Sequence, residues 1–351
     1  MTNSGVVSPS CIVRDAVRAL ETSRLTIAVV VDEEQRLLGA VTDGDIRRAI
    51  LAGAELESPI VAVMNRTPLV GRFGDSKSDL RRLLQDNNIE AVPIVDSRGH
   101  FCKVVHISDL DVTATDATSS DYGAAVIMAG GEGKRLMPLT RDTPKPMIEI
   151  GGVPVLERTI RTLIKAGIRK IFIATNYLGD KIVSYFGDGE RLGASIDYLS
   201  EKMKLGTAGG LSLIREVPAK PILVMNGDIL TSIDFKNMMV FHKQQEADVT
   251  VSVVRHDVTI PYGVLDVDGE NVVSLLEKPS QQFLCNAGIY VLSPDLVESI
   301  PEDRYLDMTD LIRDCIGGTR KVCAFPIHEY WTDIGNFSDL ANARQRIEEA
   351  W

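Results

Sequence analysis

Cysteine is scarce in this chain and none of it looks paired: Cys11, Cys102, Cys285, Cys315 and Cys323 are odd in number, scattered, and never spaced as CxxC. That argues against a disulfide framework and against a zinc site, and it fits reduced thiols in a cytoplasmic protein. The five histidines, His100, His106, His242, His256 and His328, form no metal-spaced pair. No apolar run approaches the ~20 residues needed to cross a bilayer. The segment MTNSGVVSPSCIVRDAV has no basic stretch ahead of an apolar core, so neither export nor a membrane location is expected. Positive charge is in short supply as well, since 38 Lys and Arg face 49 Asp and Glu for a formal net charge of -11. Nucleic acid and anionic lipid are not attracted to such a surface, although local basic clusters can still hold phosphates.

What is there is dominated by one stretch, Ala124 to Gly151, AAVIMAGGEGKRLMPLTRDTPKPMIEIG. An apolar strand, Ala124 to Met128, breaks into a loop containing Gly130, Gly131 and Gly133, whose backbone can approach an anion and offer it N–H groups. Arg135 and Lys145 follow and supply positive charge. Two common phosphate loops fail against these letters. A dinucleotide fingerprint from Gly131 needs Gly or Ala where Leu136 stands, and a Walker A loop ending at Gly133-Lys134 needs Ser or Thr where Arg135 stands. The stretch instead resembles the signature of the sugar-1-phosphate nucleotidyltransferases, GGxGxRLxPLTxxxPKPMIxIG, with every fixed position filled.

Residues 1–113 carry an internal repeat at an offset of 64: Val31-Asp32 falls on Val95-Asp96, Leu20 on Leu84, Leu25 on Ile89 and Asp45 on Asp109. Each unit reads as helix, apolar strand, turn, second strand and helix, and two such units can bury one shared core. The pattern VVVDEEQRLLGAVTDGDIRRAI resembles a CBS domain, and the pair resembles the tandem that binds adenine or other nucleotides in regulated enzymes. That resemblance places a ligand on Gly39, Thr42 and Asp45, a Gly-x-x-Thr-x-x-Asp segment. The second unit has Lys103, His106 and Asp109 there, keeping only the aspartate, so one good site is expected in the first unit. Thr42 and Asp45 are equally suited to capping the following helix, and the pair is also suited to dimerising the chain.

The polar segment 114–121 reads as a linker. Residues 122–351 then alternate as strand 124–129, helix 155–166, strand 170–175, helix 179–185, strand 195–199, helix 207–215 and strand 221–225. That rhythm predicts an α/β domain with a doubly wound, mostly parallel, Rossmann-like sheet behind the small α+β tandem, and ligands beyond the strand C-termini. Further motifs complete the resemblance. Asp228, at the end of VMNGD, and Asp333, in WTDIG, are implied to hold Mg2+, which favours one or two carboxylates plus phosphate oxygens. LGTAGG, with Gly206 and Thr207, is implied to pack against the nucleotide. Glu201 stands where uridylyl- and thymidylyltransferases of the family present glutamine; a carboxylate only accepts, which suits the paired donors of guanine and therefore GTP. Gly263 in PYGV, Glu277 and Lys278 in EKP, and Asn286 in NAGIY are implied to bind the sugar 1-phosphate, Lys278 at its phosphate.

A CBS pair ahead of a GTP-type catalytic domain is most similar to the glucosamine-1-phosphate guanylyltransferases of legionaminic acid biosynthesis. Mannose-1-phosphate guanylyltransferases and uridylyl- or thymidylyltransferases share the motifs. A homo-oligomer is expected. A rival from another class is a non-catalytic nucleotide sensor, which predicts decayed phosphate-site residues; here Arg135, Lys145, Asp228, Lys278 and Asp333 are all present.

Overall fold

A computed structural model describes residues 5–23, 26–110 and 120–349. They form two compact units, one within Met1–Ala117 and one within Thr118–Trp351. Of the expected linker, 114–119 lie outside the described residues.

In the first unit the repeat becomes two copies of one small sheet. Strand Ile27–Val31 lies between Val6–Val7, parallel, and Leu37–Thr42, antiparallel; Ala91–Val95 lies between Gly71–Arg72 and Phe101–His106 in the same way. Register follows the offset closely. Ile27 pairs with Thr42 as Ala91 pairs with His106, and the ladder slips between Val30 and Val31 as it does between Ile94 and Val95. Both central strands are wholly buried, and Ile27, Ala40 and Ala91 form one cluster, so the copies do share apolar surface.

In the second unit the labelled strands are β1 (Ala124–Met128), β2 (Lys170–Thr175), β3 (Ser195–Ser200), β4 (Ile222–Asn226), β5 (Val249–Thr259), β6 (Gly263–Asp268), β7 (Asn271–Glu277), β8 (Ser280–Leu292) and β9 (Val322–Pro326). The main sheet runs β3-β2-β1-β4-β8-β5-β9. Its first four strands are mutually parallel, β8 is antiparallel to both β4 and β5, and β9 is parallel to β5. Because side chains alternate along a strand, the apolar run of β1 divides between two cores. Ala125 and Ile127 face helices Val155–Lys165 and Phe235–Gln244, while Ala124 and Val126 join Leu211, Leu296 and Leu311 on the other side. Burial on both faces is why the central strands read as unbroken apolar runs. No helix among the described residues is long and apolar enough to cross a membrane.

One expected element is not continuous. Instead of a helix over 207–215 there is a turn of α-helix, Gly206–Gly209, followed by a 3-10 turn, Gly210–Leu213. Gly209-Gly210 weakens a helix at that point, and the Ala208 and Gly209 N–H groups donate to the Leu306 carbonyl of a crossing segment.

A buried histidine sets an acid limit to stability. His242 Nδ1 lies 2.8 Å from Thr250 Oγ1, and burial holds its pKa down at about 4. The folded chain thus favours the neutral ring, so stability is full above the unfolded pKa of roughly 6.5 and declines as pH falls towards 4. The loss should approach roughly 2–3 kcal/mol by pH 4. Denaturant unfolding at pH 7, 5.5 and 4.5, wild type against His242→Gln, isolates the effect; equal pH slopes would remove His242 from the account.

Candidate active site

The four parallel strands end on one side of the sheet, and the residues at or just past their ends, Met128, Asn176, Glu201 and Asn226, line one cavity of about 530 Å³. That volume falls within the usual range for a small-molecule site. The glycine loop forms another wall. Gly133 has φ +63°, and a Cβ there would stand 2.8 Å from Thr140 Cγ2 and 3.1 Å from Lys145 Cβ. Thr140 is buried and its Oγ1 donates to the Gly133 carbonyl at 2.9 Å. The loop is therefore clamped by the residues that follow it. Buried Leu136 anchors the 3-10 turn Lys134–Leu136, from which Arg135 reaches the cavity.

Asp228 and Asp333, 105 positions apart, are brought together by a short two-stranded sheet. Ile229–Thr231 pairs antiparallel with Trp331–Asp333, opposing Ile229 to Asp333, and the Ile334 N–H donates to the Asp228 carbonyl at 3.0 Å. Lys145, almost covered, pairs through Nζ with the Asp228 carboxylate and lies 3.8 Å from Asp333 Oδ1. Two carboxylates thus share one ammonium. Burial, then the Asp228 charge, push the Asp333 carboxyl above its ordinary range, with Lys145 opposing them. Asp333 Oδ1 is buried without a hydrogen-bond partner among the described residues. Asp333 does not itself line the cavity, but a buried, unsatisfied carboxylate oxygen beside the lining carboxylate of Asp228 and the glycine loop fits a hard divalent cation such as Mg2+.

Glu201, half-buried, accepts the Leu205 N–H through Oε2 at 3.2 Å; burial raises its pKa and that bond partly offsets the rise. Gly130, Gly131, Gly206 and Thr207 also line the cavity. Two lining residues carried no local signal. The Asp307 carboxylate accepts from Thr207 N and Oγ1 at 3.1 and 3.3 Å, and Tyr305 OH donates to it at 2.9 Å. Asp307 sits at the N-cap of helix Met308–Gly317 without capping it through its side chain, so only its cap-like position was readable in the sequence. At the mouth, Glu132 takes Lys204 and Lys134, and its carboxyl is held below the usual range chiefly by the Lys204 hydrogen bond.

The residues expected to hold the sugar do not line this cavity. Gly263 opposes Glu277 on the exposed hairpin β6–β7, and Lys278 follows with φ +47°. Asn286, on β8, accepts the Gly288 N–H at 2.9 Å. In the first unit Asp45 is already engaged: its Oδ2 accepts from Thr42 N and Oγ1 at 2.8 and 2.7 Å, Arg48 pairs with Oδ1, and Thr42 caps helix Asp43–Leu51. Gly39 has a packing reason, because a Cβ there would stand 2.7 Å from the Asn65 carbonyl oxygen. Asp109 likewise accepts the His106 N–H at 3.0 Å.

Residues 124–350 match the family model described as nucleotidyl transferase, and 1–52 and 60–111 match that of the CBS domain. The chain is 34% identical over 224 residues to a mannose-1-phosphate guanylyltransferase of Mycobacterium tuberculosis, covering 62% of each chain. It is 33% identical over 225 residues to the catalytic subunit beta of that enzyme from Danio rerio, again covering 62% of each. The chain therefore spans about 62% of the length of these curated relatives. Among solved structures, HddC from Yersinia pseudotuberculosis complexed with GMP-PN aligns with a TM-score of 0.50 at 30% identity, over 64% of this chain and 99% of that one.

Proposed function

The chain belongs to the nucleotidyl transferase family, and from that premise we propose that it transfers a guanylyl group from GTP to a sugar 1-phosphate, with Mg2+ as cofactor and pyrophosphate as second product. The observation that carries the reading is the meeting of Lys145, Asp228 and Asp333 beside the glycine loop. In this reaction an oxygen of the sugar phosphate attacks the α-phosphorus of GTP in line, and the bond to the β,γ-pyrophosphate breaks. The attacking group is already an anion, so no protein nucleophile is required. The chain must place two like-charged reactants and offset the charge between them.

The loop amides and Arg135 hold the β- and γ-phosphates, and Lys145 the α-phosphate. Asp228 and Asp333 are the cation ligands, and Mg2+ bound there supplies Lewis-acid neutralisation of phosphate oxygens. Gly263, Glu277, Lys278 and Asn286 remain the proposed sugar-phosphate contacts, which requires the hairpin carrying three of them to approach the cavity when both substrates are present. GTP is favoured over UTP and dTTP by the names of the relatives, by the guanine-nucleotide complex of the solved neighbour and by Glu201 as an acceptor-only side chain. The relatives' names also move mannose 1-phosphate ahead of glucosamine 1-phosphate as acceptor. The CBS pair is proposed to bind one adenine or guanine nucleotide, which requires Asp45 to exchange its Thr42 and Arg48 partners for the ligand.

The test is pyrophosphate release in Mg2+, crossing GTP, UTP, dTTP, CTP and ATP against mannose, glucosamine, N-acetylglucosamine and glucose 1-phosphates. Release confined to GTP is expected, strongest with mannose 1-phosphate. Turnover with UTP or dTTP instead would keep the reaction and remove the guanine argument. Silence with every pair would transfer the weight to a nucleotide-sensing role.

A further inference from the structure

The glycine loop carries one side chain of the wrong sign for its proposed work. Glu132 stands between Gly131 and Gly133, in the stretch whose amides are assigned to the nucleotide phosphates, and its carboxylate repels any anion brought there. It is not left bare. Lys134, two residues on, lies 3.1 Å from Oε2. Lys204 pairs with Oε1 from 72 residues away, out of the segment that leads from β3 into the turn Gly206–Gly209. All three side chains line the cavity, and they come from two different walls of it. The Lys204 ammonium thus leaves the wall that carries Glu201 and Thr207 and ends at the glycine loop.

We propose that Lys204 is a further phosphate-binding residue of this chain, taking the β- or γ-phosphate of the nucleotide, and that Glu132 stands in for that phosphate while the cavity is empty. The inference rests on the guanylyl-transfer reading and adds to it a residue outside the glycine-loop signature. Place is the first argument. A carboxylate oxygen and a phosphate oxygen ask the same of an ammonium, an anionic acceptor at about 2.7–2.9 Å, and the carboxylate that Lys204 meets belongs to the loop itself. Freedom to exchange is the second. Lys145 is almost covered and is shared between Asp228 and Asp333, whereas Lys204 keeps 67% of its side chain exposed. Exposed ion pairs contribute little to stability, so trading one anion for another costs the fold little. Charge is the third. Four basic side chains and four carboxylates line the cavity, so a triphosphate enters a balanced lining and gains from each cation it draws off a carboxylate. Lys134 remains with Glu132 when Lys204 moves, so the carboxylate is not left unpaired. When pyrophosphate leaves, Glu132 takes Lys204 back.

Calorimetric titration of the full chain with GTP, GMP and pyrophosphate in Mg2+ tests the assignment without turnover. Lys204→Met should weaken GTP and pyrophosphate by about 10-fold each and leave GMP unchanged, and Lys204→Arg, which keeps the charge, should recover most of the loss. Glu132→Gln frees Lys204 and should tighten GTP about 5-fold. Lys204→Met should then cost more in the Glu132→Gln background than in wild type, because no ion pair has to be broken first. Melting should stay near wild type throughout, since the side chains changed are largely exposed. Unchanged GTP and pyrophosphate affinity in Lys204→Met would overturn the proposal. An equal loss for GMP would overturn it too, because Lys204 would then serve the nucleoside or the α-phosphate. A wild-type chain that binds none of the three would remove the guanylyl-transfer reading itself, and this proposal with it.

Discussion

Replacing Asp228 with asparagine is expected to lower the rate of pyrophosphate release by about 10³-fold while moving the melting temperature by a few degrees at most. The carboxylate has two electrostatic tasks, as partner of Lys145 and as half of the proposed cation-binding pair. Asparagine keeps the shape and removes the charge. The fold should tolerate this, since Lys145 keeps Asp333 at 3.8 Å and the repulsion between the carboxylates disappears. Calorimetric titration with GTP separates the tasks. Without metal, affinity should hold or improve, because a negative charge near the triphosphate is gone; with Mg2+ the gain that wild type shows should be lost. The acid limb should also move. Asp228 helps to raise the Asp333 carboxyl, so in the variant Asp333 should lose its proton at lower pH and the residual activity should persist further into acid. Near-wild-type turnover in Mg2+ would sink the cation assignment, and a collapsed melting transition would make Asp228 a structural residue.

How far this arrangement was legible depended on whether its cause was local. The repeat was readable because identical periodicity folds into identical ladders, down to the register slip at Val30/Val31 and Ile94/Val95. The glycine loop was readable because Gly133 must adopt φ +63° against Thr140 and Lys145, a constraint that writes itself into neighbouring letters. Asp307 and Tyr305 were not readable. Asp307 is tied to Thr207 across 100 residues and Tyr305 donates to that same carboxylate, and nothing in DRYLDMTD distinguishes this from a helix start. The helix expected over 207–215 failed for a related reason, since the Leu306 carbonyl takes two of its amides. Gly263, Glu277 and Lys278 stand in the order the family motifs imply, yet order does not determine distance, and the exposed hairpin carries them outside the cavity wall.

Glutamine at position 201 is the second substitution with a large expected effect, and its consequence should fall on base choice. The side chain stands past the end of β3 and lines the cavity, with Oε2 tied to the Leu205 N–H. A Cβ on Gly210 would lie 2.9 Å from Oε1, so the carboxylate is packed in place rather than free to swing. Guanine presents N1–H and the N2 amino group side by side, and a fixed carboxylate can accept both. Glutamine turns one acceptor into a donor facing a donor. The cost of a mispaired, partly buried polar group is roughly 2–3 kcal/mol, so kcat/KM for GTP should fall about 100-fold with glutamine. UTP and dTTP offer a donor and an acceptor on the matching edge, so their kcat/KM should hold or rise, and the ratio of rates is the quantity to measure. A pH arm supplies an independent check. Burial raises the Glu201 carboxyl, so the acceptor is present above that raised pKa and protonates on acidification before an ordinary glutamate does. Wild-type GTP affinity should therefore weaken at the acid end of the range, and the E201Q enzyme should lack that component. Unchanged discrimination among the three nucleotides would leave Glu201 as a buttress for the Leu205–Gly210 turn and send the search for the base reader elsewhere on the cavity wall.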